Sequence, residues 1–280
     1  MNIQSAVIEG ANFLRDKSII SAQLDTEILM AKALGKNREY IILNNDKFLN
    51  FKNLEYFKKL VQERATRKPI AYLLNKKFFW KSEFYVNKNS LIPRPDTEII
   101  IEQILKLTKN KNHLRMLDIG VGSGCILLSI LKERKNFYGT GIDISKNSLD
   151  ICKINAKKLC INKKVNFYKS DVDKFTQGKY DLIVSNPPYI KRCDLKYLER
   201  DVLNFEPILA LDGGLDGLSV IRKVINKSSE LLKKNGKFIL EIGFDQKNKV
   251  INLLNKKGFY INSTIKDFAR NDRCILSTKI

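Results

Sequence analysis

Residues 184–190 read VSNPPYI, and they follow the strand-like run Asp181–Val184. Asn186 is succeeded by Pro187, Pro188 and Tyr189. Each proline fixes φ and lacks an N–H, and Pro187 biases Asn186 away from helical geometry. The result is a stiff corner offering acceptors, the Asn186 carboxamide oxygen and main-chain carbonyls. A planar –NH₂ group is the natural guest, because accepting both hydrogens orients the nitrogen and enriches its lone pair. Tyr189 is expected to cover that planar group and to favour an adjacent cationic methyl-sulfonium. Such a nitrogen attacks as a neutral group and sheds its proton afterwards. A chain with one histidine, His113, can therefore be an enzyme without a histidine-dependent triad.

A second constellation precedes the first. The stretch MLDIGVGSGCILLSI, Met116–Ile130, reads as strand, glycine turn and helix. Gly120, Gly122 and Gly124 let the backbone turn tightly and approach a ligand, with helix N–H groups free to bind it. Dinucleotide enzymes carry a similar loop, but here the spacing is G-x-G-x-G. Asp118 also stands where a pyrophosphate would be repelled. The next strand ends at GIDIS, placing Asp143 at its tip, where a carboxylate can accept both ribose hydroxyls; the alternative role is a helix cap. Asp171 in KSD reads either as an acceptor near an adenine edge or as a turn residue. Ribose recognition without phosphate accommodation points to S-adenosylmethionine (SAM).

These residues require strands that end together. From residue 91 strand and helix patterns alternate, with strand candidates at Met116–Ile119, Tyr138–Ile142, Val165–Tyr168, Tyr180–Ser185, Lys237–Ile242, Phe259–Thr264 and Ile275–Thr278. Alternation of this kind predicts an α/β fold, a mostly parallel seven-stranded sheet with helices on both faces. The last two strands, with no helix between them, are expected to pair as an antiparallel hairpin.

Residues 1–75 read as a small all-α bundle. Ile3, Val7, Ala11 and Leu14 define one helical face, Leu24, Ile28 and Ala31 a second behind the possible cap Ser21, and Leu54, Phe57, Val61 and Ala65 a third. Gly35 marks a stop. The aromatic-rich KFFWKSEFYV, Lys77–Val86, reads as a hairpin, so residues 76–90 are expected to link the bundle to a catalytic domain over 91–280.

Composition narrows the classes further. No apolar stretch approaches the roughly 18 residues of a membrane span, and the N-terminus lacks a signal-peptide pattern, so a cytoplasmic protein is expected. Five scattered cysteines with no C-x-x-C pair argue against a zinc site or a disulfide framework. The net charge of +21 admits two readings, an RNA or RNA-bound partner, or a lysine-rich composition without functional meaning.

Five segments together resemble the PrmC/HemK family of release-factor glutamine methyltransferases: LIPRPDTEII (91–100), LDIGVGSGCILLSI (117–130), DLIVSNPPYI (181–190), EPILALDGGLDGL (206–218) and TIKDFARNDRCI (264–275). The resemblance covers nearly the whole chain. It implies a Rossmann-like class I SAM-dependent methyltransferase that modifies the glutamine of the Gly-Gly-Gln motif in peptide chain release factors. It also implies cofactor contacts from Gly120, Val121, Gly122, Ser123, Gly124, Asp143 and Asn186. Relatives often place an aromatic side chain after the third-strand acid, where this chain has Val172 beside Asp171. Asn186, Pro187, Pro188 and Tyr189 would grip the glutamine, and Arg94 would line the mouth. Release factors are the implied partners, with a monomer expected and direct nucleic-acid contact not required. The competing readings are a nucleic-acid adenine-amine methyltransferase and a non-catalytic SAM-binding module, the latter opposed by the intact NPPY.

Overall fold

The face Ile3-Val7-Ala11-Leu14 is buried as expected, on the first helix, α1 (Ile3–Asp16), which Asn2 caps by accepting Ser5 N–H at 2.8 Å. A computed structural model describes the whole chain, residues 1–280. Four more helices follow, α2 (Ala22–Leu34), α3 (Arg38–Leu43), α4 (Phe51–Ala65) and α5 (Ile70–Leu74). Gly35 ends α2 in the left-handed conformation, the usual C-terminal stop. On α4, Phe57 and Val61 are buried as the spacing predicts.

One face is displaced. Leu24 is exposed and Ile28 half-buried, whereas Asp25, Thr26, Leu29 and Met30 point inward. The reason is electrostatic: Arg64 donates to Asp25 Oδ2 at 2.7 Å inside the bundle. The acid is drawn in and its neighbour Leu24 turned out. Ser21 stands at the cap position but makes no capping bond.

The second unit begins at Lys76. Strands β1 (Lys76–Phe79) and β2 (Ser82–Tyr85) form the expected antiparallel hairpin. It is more than a linker. Phe79 and Phe84 are fully buried in this unit's core, Trp80 N–H donates to Glu98, and Tyr85 N–H donates to Asn155.

The order continues with α6 (Glu98–Leu107), β3 (Leu114–Ile119), α7 (Cys125–Glu133), β4 (Phe137–Asp143), α8 (Lys146–Lys158), β5 (Val165–Lys169) and β6 (Tyr180–Ser185). Then come α9 (Arg200–Phe205), α10 (Ser219–Leu231), β7 (Leu232–Glu241), α11 (Lys247–Lys256), β8 (Phe259–Lys266) and β9 (Asp272–Lys279). Residues 199–205, including α9, pack with the helical bundle of residues 1–75 and not with the sheet.

All seven expected strands form one sheet, ordered β5-β4-β3-β6-β7-β9-β8. Pairing is parallel except along β9, which runs antiparallel to both β7 and β8. Apolar clusters lie on both faces, one including Ile100, Ile104, Leu127 and Leu131, the other Ile221, Val224, Val250 and Leu254. Strand order reverses between β3 and β6, and ligands of such sheets gather beyond the carboxyl ends at this reversal. No helix is long and apolar enough to cross a membrane.

Candidate active site

A cavity of about 350 Å³ opens at that reversal, within the usual range for small-molecule sites. Gly120 and Gly122 line one side, Asp143, Ile144 and Ser145 the end of β4, Asp171 and Val172 the segment after β5, and Asn186, Pro187 and Pro188 the end of β6. The sheet thus brings the glycine loop, three of the four NPPY residues and both acids to one hollow.

The glycine loop divides into two parts. Gly120, Gly122 and Gly124 all have positive φ, which an L side chain adopts only with strain. A Cβ at Gly120 would meet nothing within 4 Å, so that position faces open space. A Cβ at Gly124 would lie 2.5 Å from Cys152 Sγ and 2.7 Å from Leu128 Cδ1, so that glycine exists for packing. Val121 is buried in the core. Ser123 is buried too, its carbonyl accepting from Asn155 Nδ2 at 2.9 Å. Val121, Ser123 and Gly124, read from the sequence as cofactor contacts, therefore shape the loop from behind and do not line the cavity.

Asp143 is built in on both sides. Its Oδ2 accepts from Gly122 N–H at 2.9 Å and its Oδ1 from Ser145 N–H at 2.8 Å. Each oxygen keeps a lone pair for a further donor. Burial raises its carboxyl pKa against hydrogen bonds from the Ser145, Gly122 and Ile144 backbone. Asp171 caps the turn after β5, accepting from Asp173 N–H at 3.3 Å, with Lys223 at 3.9 Å.

Asp118, at 1% exposed, has no hydrogen-bond partner on either oxygen. Burial, assisted by the nearby Asp143 charge, pushes its carboxyl up to about 7. Asp118 lies behind the cavity and does not line it.

The NPPY corner is held from beneath. Asn186 Nδ2 donates to Thr97 Oγ1 at 3.2 Å, and Thr97 Oγ1 donates to Glu241 Oε2 at 2.8 Å. Tyr189 departs from expectation. Its ring packs against the apolar cluster below the sheet, and its hydroxyl donates to Glu241 Oε1 at 3.3 Å. A phenol placed there must satisfy its O–H, so it turns to the buried acid and does not line the cavity. Burial, reinforced by the Glu241 charge, raises its pKa. Gly217 closes the loop over this corner, since a Cβ there would lie 2.5 Å from the Tyr189 carbonyl oxygen. That carbonyl accepts from Gln246 Nε2 at 2.9 Å.

Arg94 likewise differs. Its guanidinium donates to Glu206 Oε1 at 2.6 Å, and the same carboxylate accepts from Ile92 N–H at 3.0 Å. Glu206 is almost wholly buried, so Arg94 is chiefly the counter-charge that permits it.

Sequence reasoning missed Thr97, Glu241, Arg273 and Gln246. One signal was available: Glu241 is an acid at the end of an otherwise apolar buried strand. Register sets Leu240 opposite Ser185, which brings Glu241 beside Asn186.

Comparison with known proteins agrees with this architecture. Residues 5–74 match the PrmC N-terminal domain and residues 96–203 the methyltransferase small domain. The release factor glutamine methyltransferase of Clostridium acetobutylicum is 36% identical over 282 residues, spanning 100% of this chain and 99% of its own. That of Caulobacter vibrioides is 37% identical over 270 residues, spanning 95% and 92%. Among solved structures, a methyltransferase from Pyrococcus furiosus superposes with a TM-score of 0.53 at 19% identity, covering 78% of this chain and 99% of that one. The ribosomal protein L11 methylase from Lactobacillus delbrueckii subsp. bulgaricus gives 0.52 at 18% identity, covering 70% and 84%; at such identities the likeness is one of fold. A class I methyltransferase sheet, an NPPY corner at its cleft and full-length similarity to these relatives place the chain in the release factor glutamine methyltransferase family.

Proposed function

We propose that this protein transfers a methyl group from SAM to the side-chain amide nitrogen of the glutamine in the Gly-Gly-Gln motif of peptide chain release factors. The observation that carries the reading is the convergence of Asp143, the open side of the glycine loop and the Asn186–Pro188 corner on a single cavity. A cytoplasmic site of action follows from that substrate.

The residues present fit SAM. Asp143 keeps acceptor capacity for ribose hydroxyls, Gly120 leaves room for close approach, and Val172 offers an apolar surface near Asp171. Bound SAM supplies an electrophilic methyl on a positively charged sulfur. Asn186 Oδ1 and the main-chain carbonyl of Pro187 accept the two hydrogens of the substrate carboxamide and fix its nitrogen. Pro187 and Pro188 keep those acceptors from turning away. Positioning of this kind can contribute up to roughly 7–11 kcal/mol when alignment is ideal. Tyr189 acts as a buttress under the corner and Arg94 as a strut between two loops.

We assign docking of the release factor to the helical unit, on its size and its exposed apolar side chains. Leu43, Phe48 and Phe51 are each about four-fifths exposed and close together in the chain, as partner-binding surfaces often are. Phe48→Ser with Phe51→Ser should raise KM for the release factor while SAM affinity stays put; an unchanged KM removes this assignment.

One assay decides the main reading. Tritiated SAM is offered with a purified release factor, with its Gln→Ala variant, and with bulk ribosomal RNA. Label on the intact factor alone is expected. Label confined to RNA establishes the nucleic-acid alternative, and label on nothing the non-catalytic one.

A further inference from the structure

Asn186 has to present its oxygen, not its –NH₂, to a carboxamide substrate. The two ends of an Asn side chain are nearly identical in shape, so a neighbour must fix the direction. That neighbour is Thr97, only 2% exposed. It stands immediately ahead of α6, where a threonine hydroxyl ordinarily caps helix N–H groups. Yet its side chain makes no capping bond. The hydroxyl is spent on Glu241, itself 2% exposed.

The polarity of this chain of contacts is fixed once Glu241 is ionised. Its carboxyl, pushed up to about 7 by burial, then only accepts, and both oxygens are taken by hydroxyls, Thr97 at Oε2 and Tyr189 at Oε1. Thr97 has a single hydroxyl proton and gives it to Glu241 Oε2. Its oxygen is left to accept, and it accepts from Asn186 Nδ2. The carboxamide oxygen of Asn186 is thereby freed for the cavity. The other oxygen of Glu241 takes the Tyr189 hydroxyl proton. Tyr189 Oη in turn accepts from Arg273 Nη1 at 3.4 Å. Arg273 is paired with Asp267 at 2.9 Å, and its Nη1 also donates to the Ile242 carbonyl at 3.3 Å. Both ends of the NPPY corner thus refer their polarity to one buried acid.

We propose that Glu241, acting through Thr97, is the positioning residue that sets the direction of the Asn186 carboxamide. It thereby selects a substrate group carrying two hydrogens over a carbonyl or carboxylate oxygen. The inference rests on the methyl-transfer reading above. Without the Thr97 hydroxyl, nothing holds the amide against a flip that would turn its donors toward the substrate's own N–H groups.

The test uses the full-length protein with a release factor as methyl acceptor at pH 8, where Glu241 is ionised, and reads kcat, KM and SAM Kd separately. Thr97→Val, isosteric but without the hydroxyl, is expected to lower kcat roughly ten- to hundredfold while SAM Kd stays within about threefold. Glu241→Gln, which can donate to Thr97 and reverse the chain, is expected to behave alike. Thr97→Ser keeps the hydroxyl and should recover kcat to within about threefold of the wild type. A wild-type kcat in Thr97→Val overturns the proposal, as does a Thr97→Ser variant as slow as Thr97→Val. Should Glu241→Gln fail to fold, the two threonine variants carry the comparison alone. A wild-type protein that leaves the release factor unlabelled would instead overturn the functional reading, and the proposal with it.

Discussion

Arg64 and Asp201 are 137 residues apart in the chain, yet their side chains meet at 2.6 Å. Arg64 also holds Asp25 at 2.7 Å and donates to the Lys68 carbonyl at 3.1 Å. A short segment after β6 is in this way built into the N-terminal helical unit. Burial of the guanidinium would lower its pKa, but the two carboxylates outweigh that and raise it.

Removing this arginine leaves Asp25 buried and uncompensated. Arg64→Ala should destabilise the helical unit by about 3–5 kcal/mol, the usual cost of breaking a buried pair from one side. Arg64→Lys, which keeps the charge but loses the planar fork, should fall between. Urea unfolding followed by far-UV circular dichroism measures both. A loss under about 1 kcal/mol in the alanine variant would mean that the pair behaves as a surface salt bridge.

Two glycines of one loop should respond differently to alanine. Gly124→Ala forces a methyl against Cys152 and Leu128 in addition to backbone strain. It should cost about 2–5 kcal/mol of stability, combining a left-handed penalty of about 1–2 with overpacking of about 1–3. Gly120→Ala carries the backbone term alone, and its methyl points into open space. It should keep most of its stability and lose SAM affinity. Thermal unfolding and equilibrium SAM binding separate the two effects.

The cavity should divide its labour between binding and turnover. Asp143→Asn sets an amide where two backbone N–H groups require acceptors. A mispaired buried group costs about 1–3 kcal/mol, so SAM affinity should weaken about five- to hundredfold. Asn186→Ala removes the acceptor proposed for the substrate amide. It should lower kcat at least about tenfold with a much smaller change in SAM Kd. Isothermal titration against single-turnover methyl transfer distinguishes them, and equal losses in both quantities would contradict the separation.

Stability should fall as pH rises toward neutrality. Burial pushes the carboxyls of Asp118 and Glu241 up to about 7 from ordinary values of 3.8 and 4.5. Between those limits the folded protein retains protons that the unfolded chain has released. Unfolding free energy therefore declines through this window, by up to about 1.4 kcal/mol per pH unit for each proton, and levels off above it. The acids with depressed values, Asp212, Asp216 and Asp267, act with the opposite sign and at lower pH. Urea unfolding at intervals from pH 5 to pH 8 should show the decline, and Glu241→Gln should make it shallower.

Much of the sheet was legible because each buried strand is a short apolar run bounded by turn signals. The loop Gly120–Gly124, Asp143 and the NPPY corner were legible because glycines, prolines and acids at strand ends carry local geometry with them. What the sequence concealed were relations across distance. Thr97 carries no local signal of its role, which appears only when the pairing of β6 with β7 brings Glu241 beside it. Leu24 looks like a core residue until Arg64 draws Asp25 inward. Tyr189 looks like a substrate platform until its hydroxyl is seen to be claimed by a buried acid. In the last two cases a tertiary partner outbids a local preference.

The antiparallel return of β9 beside β7 has a consequence for biosynthesis. A ribosome releases the glycine loop and the NPPY turn early, and the hairpin bearing Arg273 and Asp267 only later. Until that hairpin docks, Tyr189 Oη lacks the guanidinium that approaches it, and the Glu241 carboxylate lies against an open sheet edge. The NPPY corner therefore gains its last polar neighbour only when the final hairpin pairs with β7.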